Sequence, residues 1–426
     1  MSETFDVIII GGGINGTGVA RDCALRGLKT LLIEKKDLCG GTSGSSSGMI
    51  HGGLRYLLYD VKTTKISSKD SGYIQKIAPF LLFRIPFLFL IHGKEGPNAE
   101  LLETFFEIYD RYSKLKNAKL HTRLNQEEVH RLEPGLASEI TGAITFDEWG
   151  VDPYRLCLLN AKDAVRSGGE VLLHTEVVDL LFSQDGQTAT QTATKKKRVS
   201  GVRVRTQDRG HKDYFGKVVL NISGPWISKV CKMAGVDLRL RPGKGIHIVF
   251  DRRISNIALM TQTIDRRSVF LLPYENTSII GTTDDDFYGD PDHLEVTHDE
   301  VEYLFQAIER VFPDIRKHRV IATYAGIRPT LYEWGKLEDE LSREHKIFDH
   351  SREGVEGFLT MAGGKLASYR LMSEELTDVV CKKLNLRKKC ETHQRPLPGG
   401  EDLISADELK SMAARAGISL YALSRL

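Results

Sequence analysis

Phe5-Asp6-Val7-Ile8-Ile9-Ile10-Gly11-Gly12-Gly13-Ile14-Asn15-Gly16 opens the chain with an apolar, β-branched run that leads directly into glycines. A run of that kind suits a strand buried on both faces, as parallel strands are. Gly11, Gly13 and Gly16 stand at GxGxxG spacing, and Ile14 to Arg26 reads as the helix that follows. The spacing has a chemical reason: one glycine makes the tight turn, one lets the backbone approach a pyrophosphate, and one lets helix and strand pack closely. The helix N-terminus then offers N–H groups and a positive dipole end to phosphates. Lys29 to Ile33 reads as a second strand, and it ends in Glu34, where a carboxylate would meet ribose hydroxyls, with Lys35 beside it. Together these residues predict a dinucleotide-binding βαβ unit.

After Glu34 the expected next βα unit does not come. Cys39-Gly40-Gly41-Thr42-Ser43-Gly44-Ser45-Ser46-Ser47-Gly48 follows, then Met49-Ile50-His51-Gly52-Gly53-Leu54-Arg55-Tyr56. A chain of glycines and hydroxyl residues has little reason to fold on itself and can lie flat against a ligand. A linker would join domains, whereas this segment interrupts the first one, so it is expected to line the bound dinucleotide.

With 426 residues, 41% of them hydrophobic, the chain is long enough for two cores. Its formal net charge of +2 selects no partner class. The one basic run, Lys195 to Arg198, lies between strand-like segments and reads as a solvated hairpin tip, so no nucleic acid is expected. Six cysteines are scattered without a CxxC, which points to a reducing compartment and to no metal. The first apolar run enters the glycine loop, so no leader is read and a cytoplasmic protein is expected. Ile77 to Ile91, with Pro79, Arg84 and Pro86, is too short to span a bilayer and reads as a buried strand, the alternative being a surface that touches lipid.

At this point the sequence resembles the FAD-dependent glycerol-3-phosphate dehydrogenases, within the flavoprotein group that includes D-amino acid and sarcosine oxidases. The resemblance rests on Gly11 to Gly16, on Thr42 to Ser47 running into His51 to Tyr56, and on Asn221-Ile222-Ser223-Gly224-Pro225-Trp226. It continues in Ser278 to Asp284, in Tyr324-Ala325-Gly326-Ile327-Arg328-Pro329 and in Gly363-Gly364-Lys365-Leu366-Ala367-Ser368-Tyr369-Arg370. Arg21 to Gly27 and Val151 to Leu156 are similar to the catalytic subunit of the anaerobic enzyme, and the His51 to Leu57 stretch to the aerobic, membrane-associated form. Departures occur at Gly48, where the aerobic enzymes carry a lysine, and at Ile222, Ser223, Ala367 and Ser368.

The resemblance implies an α/β fold, with a Rossmann-like FAD-binding domain interleaved with a sheet-based substrate domain. The expected cofactor domain takes residues 1–75, 145–235 and 343–395, and the substrate domain 76–144 and 236–342. Residues 396–426 are expected to begin a C-terminal helical region that is shorter than in the family. Within the substrate domain Leu101, Phe105, Ile108 and Tyr112 follow helical spacing. Thr297 with Glu300 forms a capping box ahead of Val301, Leu304, Ile308 and Val311.

The implied reaction removes a hydride from C2 of sn-glycerol 3-phosphate, giving dihydroxyacetone phosphate and reduced FAD, with electrons passed to quinone or to partner subunits. Cofactor contacts are expected from Gly11, Gly13, Ile14, Asn15, Gly16, Glu34, Lys35, Thr42, Ser43, Ser46, Ser47, His51, Gly52, Val177, Ser223, Gly224, Trp226, Gly326, Arg328, Gly364, Lys365, Leu366 and Ala367. Phosphate recognition favours guanidinium groups. Arg328, read as following a strand at the turn before Pro329, and Arg343 take that role, while Arg55 and Tyr56 take the hydroxyl end. Lys365 reads as a strand-to-helix junction that reaches both substrate and flavin. His247, alternating with Val249 on a strand, is the candidate base and His51 its rival, since histidine titrates at about 6.5 when unperturbed. The resemblance also admits a homodimer and peripheral contact with the inner face of a membrane. Two other readings stay open: oxidation of an amine or 2-hydroxy acid on the same fold, and a catalytically silent FAD-containing electron-transfer subunit.

Overall fold

The computed structural model describes residues 4–57, 60–93, 98–183, 197–208, 210–335, 341, 344–399 and 404–425; the side chains of Arg55, Tyr421, Ser424 and Arg425 are outside that description. The chain begins with β1 (Thr4–Ile10), α1 (Ile14–Leu25) and β2 (Thr30–Ile33). It crosses to a second sheet through α2 (Val61–Ile77), β3 (Leu82–His92), α3 (Ala99–Ser113), β4 (Thr122–Asn125), α4 (Gln126–Leu132) and β5 (Ile140–Val151). It returns with α5 (Pro153–Arg166), β6 (Glu170–Leu172), β7 (Glu176–Ser183), β8 (Lys197–Arg205), β9 (His211–Asn221) and α6 (Ile227–Met233).

A second excursion comprises β10 (Leu240–Phe250), β11 (Ala258–Gln262), β12 (Ser268–Tyr274), β13 (Thr277–Gly281), β14 (Asp285–Asp286), α7 (His298–Glu309) and β15 (Val320–Leu331). The chain then rejoins the first sheet with β16 (His345–Asp349), β17 (Val355–Glu356) and β18 (Phe358–Gly363). It continues as α8 (Tyr369–Lys383), α9 (Ala406–Ala416) and α10 (Leu420–Arg425).

The first sheet runs β16-β18-β9-β1-β2-β6, with β1 parallel to both β2 and β9 in the registers Val7↔Thr30 and Val7↔Val218. Val7, Ile8 and Ile9 are fully buried because α1 and α8 cover one face while β7, β8 and α6 pack on the other. That two-sided burial is why the strand is continuously apolar. The second sheet runs β14-β10-β13-β12-β11-β3-β5-β4, with β15 added on β10. Leu304, Ile308 and Val311 of the α7 segment close one face of it. Thr297 and Glu300 form the reciprocal capping box that opens α7.

Ile77 to Ile91 divides between the end of α2 and a β3 strand paired along its length with β5. Strand β5 stays in the second sheet as far as Val151, past the expected boundary at 145. Its ladder with β3 carries it there, ending at the pair Leu82↔Val151. The helical spacing of Leu101, Phe105, Ile108 and Tyr112 belongs to α3, where Phe105 and Tyr112 are partly buried against the core. Leu102, Phe106 and Tyr109 are buried, whereas Leu101 is 69% exposed and Ile108 41%. Two apolar stripes lie side by side on that helix, and packing against β3 and β5 selects the one carrying Phe106.

Candidate active site

Two cavities meet where the sheets abut. The first lies at the carboxyl ends of β1 and β2, against the N-terminus of α1, the position where dinucleotides bind such folds. Gly11, at φ +115°, leaves no room for a side chain: a Cβ there would lie 2.5 Å from the carbonyl oxygen of Ile222. Gly13 is the N-cap of α1, and the amide of Ile14 donates to the Ser43 hydroxyl at 3.0 Å. Glu34 is held by two amides, Gly12 donating to one carboxylate oxygen at 2.7 Å and Lys36 to the other at 2.8 Å. A carboxylate has about four acceptor sites, so hydroxyl donors can still be bound. Asn15 lines this cavity, and among the described residues its buried Oδ1 has no partner.

Ile14, Lys35, Thr42, Ser46, Val177, Ser223, Gly224, Trp226, Gly364 and Leu366 line the same cavity. Lys35 is pulled to the rim by Asp292, 2.7 Å away, and lies 3.8 Å over the Trp226 ring. Lys36 reaches the same carboxylate at 3.1 Å, and the Trp226 indole N–H donates to it at 3.1 Å. Burial raises the Asp292 carboxyl, but Lys35 and Lys36 outweigh that and hold it down at about 2. Trp226 is therefore part of the cavity wall.

The second cavity lies against the second sheet and shares Thr42, Ser46, Pro329 and the Gly363–Leu366 turn with the first, so the two form one trough. Into it face Ser47, His51, Tyr56, His247, Gly326, Arg328, Lys365 and Ala367. Lys365 is the residue before a 3-10 turn, Leu366–Ser368, that leads into α8, so it is at a strand-to-helix junction. Its ammonium sits 3.3 Å over the Tyr56 ring. His247 Nε2 is 2.8 Å from the Ser47 hydroxyl, and its ring stacks on Tyr324 with centroids 4.6 Å apart. Burial, followed by the nearby Arg328 guanidinium, lowers His247 to about 3, so the imidazole is neutral at ordinary pH. Arg328 donates to the Asp284 carboxylate at 2.9 Å and to Thr282 Oγ1 and the Thr283 carbonyl at 3.0 and 3.1 Å.

Some expected placements change. Arg328 lies within β15 instead of after a strand, because its pairing with Gly243 of β10 continues beyond Pro329 to Leu331. Gly52 does not line the trough; its amide turns away to the Glu148 carboxylate at 3.0 Å. Gly16 is likewise behind the wall, where a Cβ would come 1.9 Å from the carbonyl oxygen of Gly11. Arg343 and the side chain of Arg55 fall outside the described residues.

Four wall or rim residues were not anticipated. Arg267 lines the second cavity and donates to the Asp284 carbonyl at 2.7 Å. Asp284 closes a stretch that carries the family resemblance, but its pairing with Arg328 gives no obvious signal in sequence. Glu148 and Asp292 are brought in from β5 and from the loop after β14 by tertiary contacts alone.

A glycine turn, a helix N-terminus, an acidic strand end and a cavity continuous with a second one through shared wall residues fit a flavin dinucleotide. The family model described as FAD dependent oxidoreductase (DAO) matches residues 6–370. The chain belongs to that family. Within it, the chain is 32% identical to a component of the anaerobic glycerol-3-phosphate dehydrogenase of Haemophilus influenzae, over 94% of its own length and 69% of the relative's. It is 31% identical to the aerobic glycerol-3-phosphate dehydrogenase of Staphylococcus haemolyticus, over 94% and 72%. The crystal structure of the Bacillus halodurans glycerol-3-phosphate dehydrogenase complexed with FAD superposes with a TM-score of 0.77 at 26% identity, covering 99% of this chain and 75% of that one. The chain is thus an FAD-dependent oxidoreductase akin to the glycerol-3-phosphate dehydrogenases, and the residues of the first cavity are those that would hold the nucleotide end of FAD.

Proposed function

We propose that this protein oxidises sn-glycerol 3-phosphate at C2 to dihydroxyacetone phosphate, FAD accepting the hydride. The observation that carries the reading is the wall of the second cavity, where Arg328, Arg267 and Lys365 surround two histidines at the end of the dinucleotide trough. A phosphate dianion calls for several cations, while a carboxylate substrate needs fewer. Arg328, held from two sides by Asp284 and Thr282, presents a fixed guanidinium at little ordering cost. Lys365, in the shared turn, places its positive charge beside the seam of the two cavities.

The C2 hydroxyl proton passes to a neutral imidazole. His247 is kept in that state by burial and is oriented by Ser47, with its Nδ1 unpartnered among the described residues. His51 also lines the cavity. A substrate dianion compensates the Arg328 charge that disfavours protonation of His247, so binding of the phosphate raises the basicity of the group that needs it. Alternating apolar groups, Phe87, Phe146, Met260 and Phe270, line the remainder and limit water.

Electrons leave to a quinone or to electron-transfer partner subunits, and the protein works in the cytoplasm or on the inner face of the membrane. Among the described residues no helix is long and apolar enough to cross a membrane. Anaerobic mixing of the FAD-loaded protein with sn-glycerol 3-phosphate, glycerol, an amine or a 2-hydroxy acid tests the substrate. Bleaching of the flavin band by the phosphorylated alcohol alone supports the reading. Bleaching by the amine or hydroxy acid overturns it, and a flavin that none of them reduces indicates the electron-transfer alternative.

A further inference from the structure

Behind the second cavity lies a buried charge cluster that the reaction above does not use. Lys116, at the end of a 3-10 turn after α3, is fully buried, with Tyr109 1% and Glu148 3% exposed. The Lys116 ammonium donates to Glu148 Oε2 at 2.7 Å, to the Tyr109 hydroxyl at 3.1 Å and to the Asp147 carbonyl at 2.6 Å. Tyr109 donates in turn to Glu148 Oε1 at 2.6 Å. Glu148 Oε2 accepts one further hydrogen bond, from the amide of Gly52 at 3.0 Å, and Glu148 is the member of the cluster that reaches the cavity wall.

A buried ion pair is a poor source of net stability, since an apolar pair of the same shape serves as well or better. Its position gives a better account of it. The segment from Gly48 runs along β5, with Ile50 donating to the Trp149 carbonyl at 2.9 Å and Val151 to the Gly48 carbonyl at 2.7 Å. The ladder stops at Gly52, where the chain turns under Lys365. A Cβ on Gly52 would lie 2.6 Å from the Tyr109 hydroxyl, so the turn rests directly on the cluster. Gly53 takes the left-handed conformation at φ +83°, and a Cβ there would lie 3.0 Å from Lys365 Nζ. His51 and Tyr56 flank this turn and both line the cavity.

We propose that Glu148, neutralised by Lys116, is a positioning residue. By holding the Gly52 amide it sets the His51-Gly52-Gly53 turn against the reacting end of the FAD trough. The inference rests on reading the second cavity as the reaction chamber, but it concerns only this chain's hold on the turn and on FAD. A charge-assisted hydrogen bond to a buried amide is strong enough that losing it moves rates by about tenfold.

The test compares two doubly neutral proteins, Lys116→Met/Glu148→Leu and Lys116→Met/Glu148→Gln. Neither leaves a buried charge uncompensated, and only the second keeps an acceptor for Gly52. Hydrogen exchange at the residue 52 amide and the rate of FAD release are measured alongside the reduction rate with sn-glycerol 3-phosphate. The leucine protein is expected to exchange and release FAD about tenfold faster, with kcat falling more than KM rises, and the glutamine protein to stay within about threefold of wild type. Equal behaviour of the two, or wild-type exchange and FAD release in the leucine protein, overturns the proposal. Should the leucine protein not fold, Glu148→Asp carries the test, because it keeps the charge balance while withdrawing the carboxylate from Gly52. Unchanged exchange and FAD release there also overturn it. A wild-type protein that sn-glycerol 3-phosphate fails to reduce overturns the substrate reading instead, and exchange and FAD release still decide this one.

Discussion

Nε2 of His247, on β10 of the second sheet, lies 2.8 Å from Oγ of Ser47 in the glycine-serine loop of the first. The bond ties the candidate base to the segment that flanks both ends of the trough. Because the free protein holds His247 near 3, a kcat/KM profile should show no acid limb from it between pH 5 and 8. An enzyme limb there, separated from the second ionisation of the substrate phosphate at about pH 6, would point to a base other than His247. His247→Asn is expected to lower kcat by about 10²- to 10⁴-fold.

The same histidine links stability to pH. Its folded pKa is below the unfolded value, so the unfolded chain binds more protons between about 6.5 and about 3. Stability from keeping it neutral is therefore complete above 6.5 and is lost as pH falls towards 3. The melting temperature of wild type should fall relative to that of His247→Asn as pH drops from about 6.5 towards 3, and the two should run parallel above that range. Parallel curves across the whole range would rule this out.

Asp292 comes from the loop after β14, yet it grips Lys35, Lys36 and Trp226 at the rim of the nucleotide cavity. The carboxylate is only partly buried, so its ion pairs are screened and worth about 1 kcal/mol together. Asp292→Asn should speed FAD release about fivefold and make that rate less sensitive to salt, as read by the fluorescence of freed flavin. Fast-phase release identical to wild type at low salt would count against a latch at this rim.

Arg328 binds through a fork whose geometry a lysine does not reproduce. Arg328→Lys keeps the charge beside Asp284 and should raise KM for sn-glycerol 3-phosphate by about tenfold or more, with a smaller change in kcat. Arg267→Gln should act in the same direction. Steady-state kinetics at constant ionic strength separates these from a loss of fold, which would lower bound FAD as well.

Gly16 and Gly27 separate crowding from conformational strain. A Cβ on Gly16 would meet the Gly11 carbonyl at 1.9 Å, whereas one on Gly27, at φ +80°, would meet nothing within 4 Å. Gly16→Ala is expected to purify without FAD, and Gly27→Ala to keep FAD while losing about 1 kcal/mol of stability. Flavin content and thermal melting measure both.

Much of the cofactor end was legible because its residues are close in sequence. The turn at Gly11, the helix start at Gly13 and the carboxylate of Glu34 lie within one βαβ unit, where spacing dictates geometry. The capping box of Thr297 and Glu300 is local in the same sense. The inward stripe of α3 was not, because Leu101 and Leu102 begin equally good helical patterns and only the packing partner decides between them. Arg343 and the Arg55 side chain fall outside the described residues, so their expected roles rest on resemblance.

By itself, then, the order of residues determined a strand-glycine-helix unit suited to a dinucleotide and an alternation of two sheets. Only the folded chain decided which charges meet. Lys35 and Asp292 are 257 positions apart, Gly52 and Glu148 are 96, and Arg328 is 44 from Asp284. Local periodicity reports which residues share a face, since backbone geometry repeats over a few residues. The partner of a charge is chosen by whichever distant element buries it, and that choice exists only once both sheets are assembled.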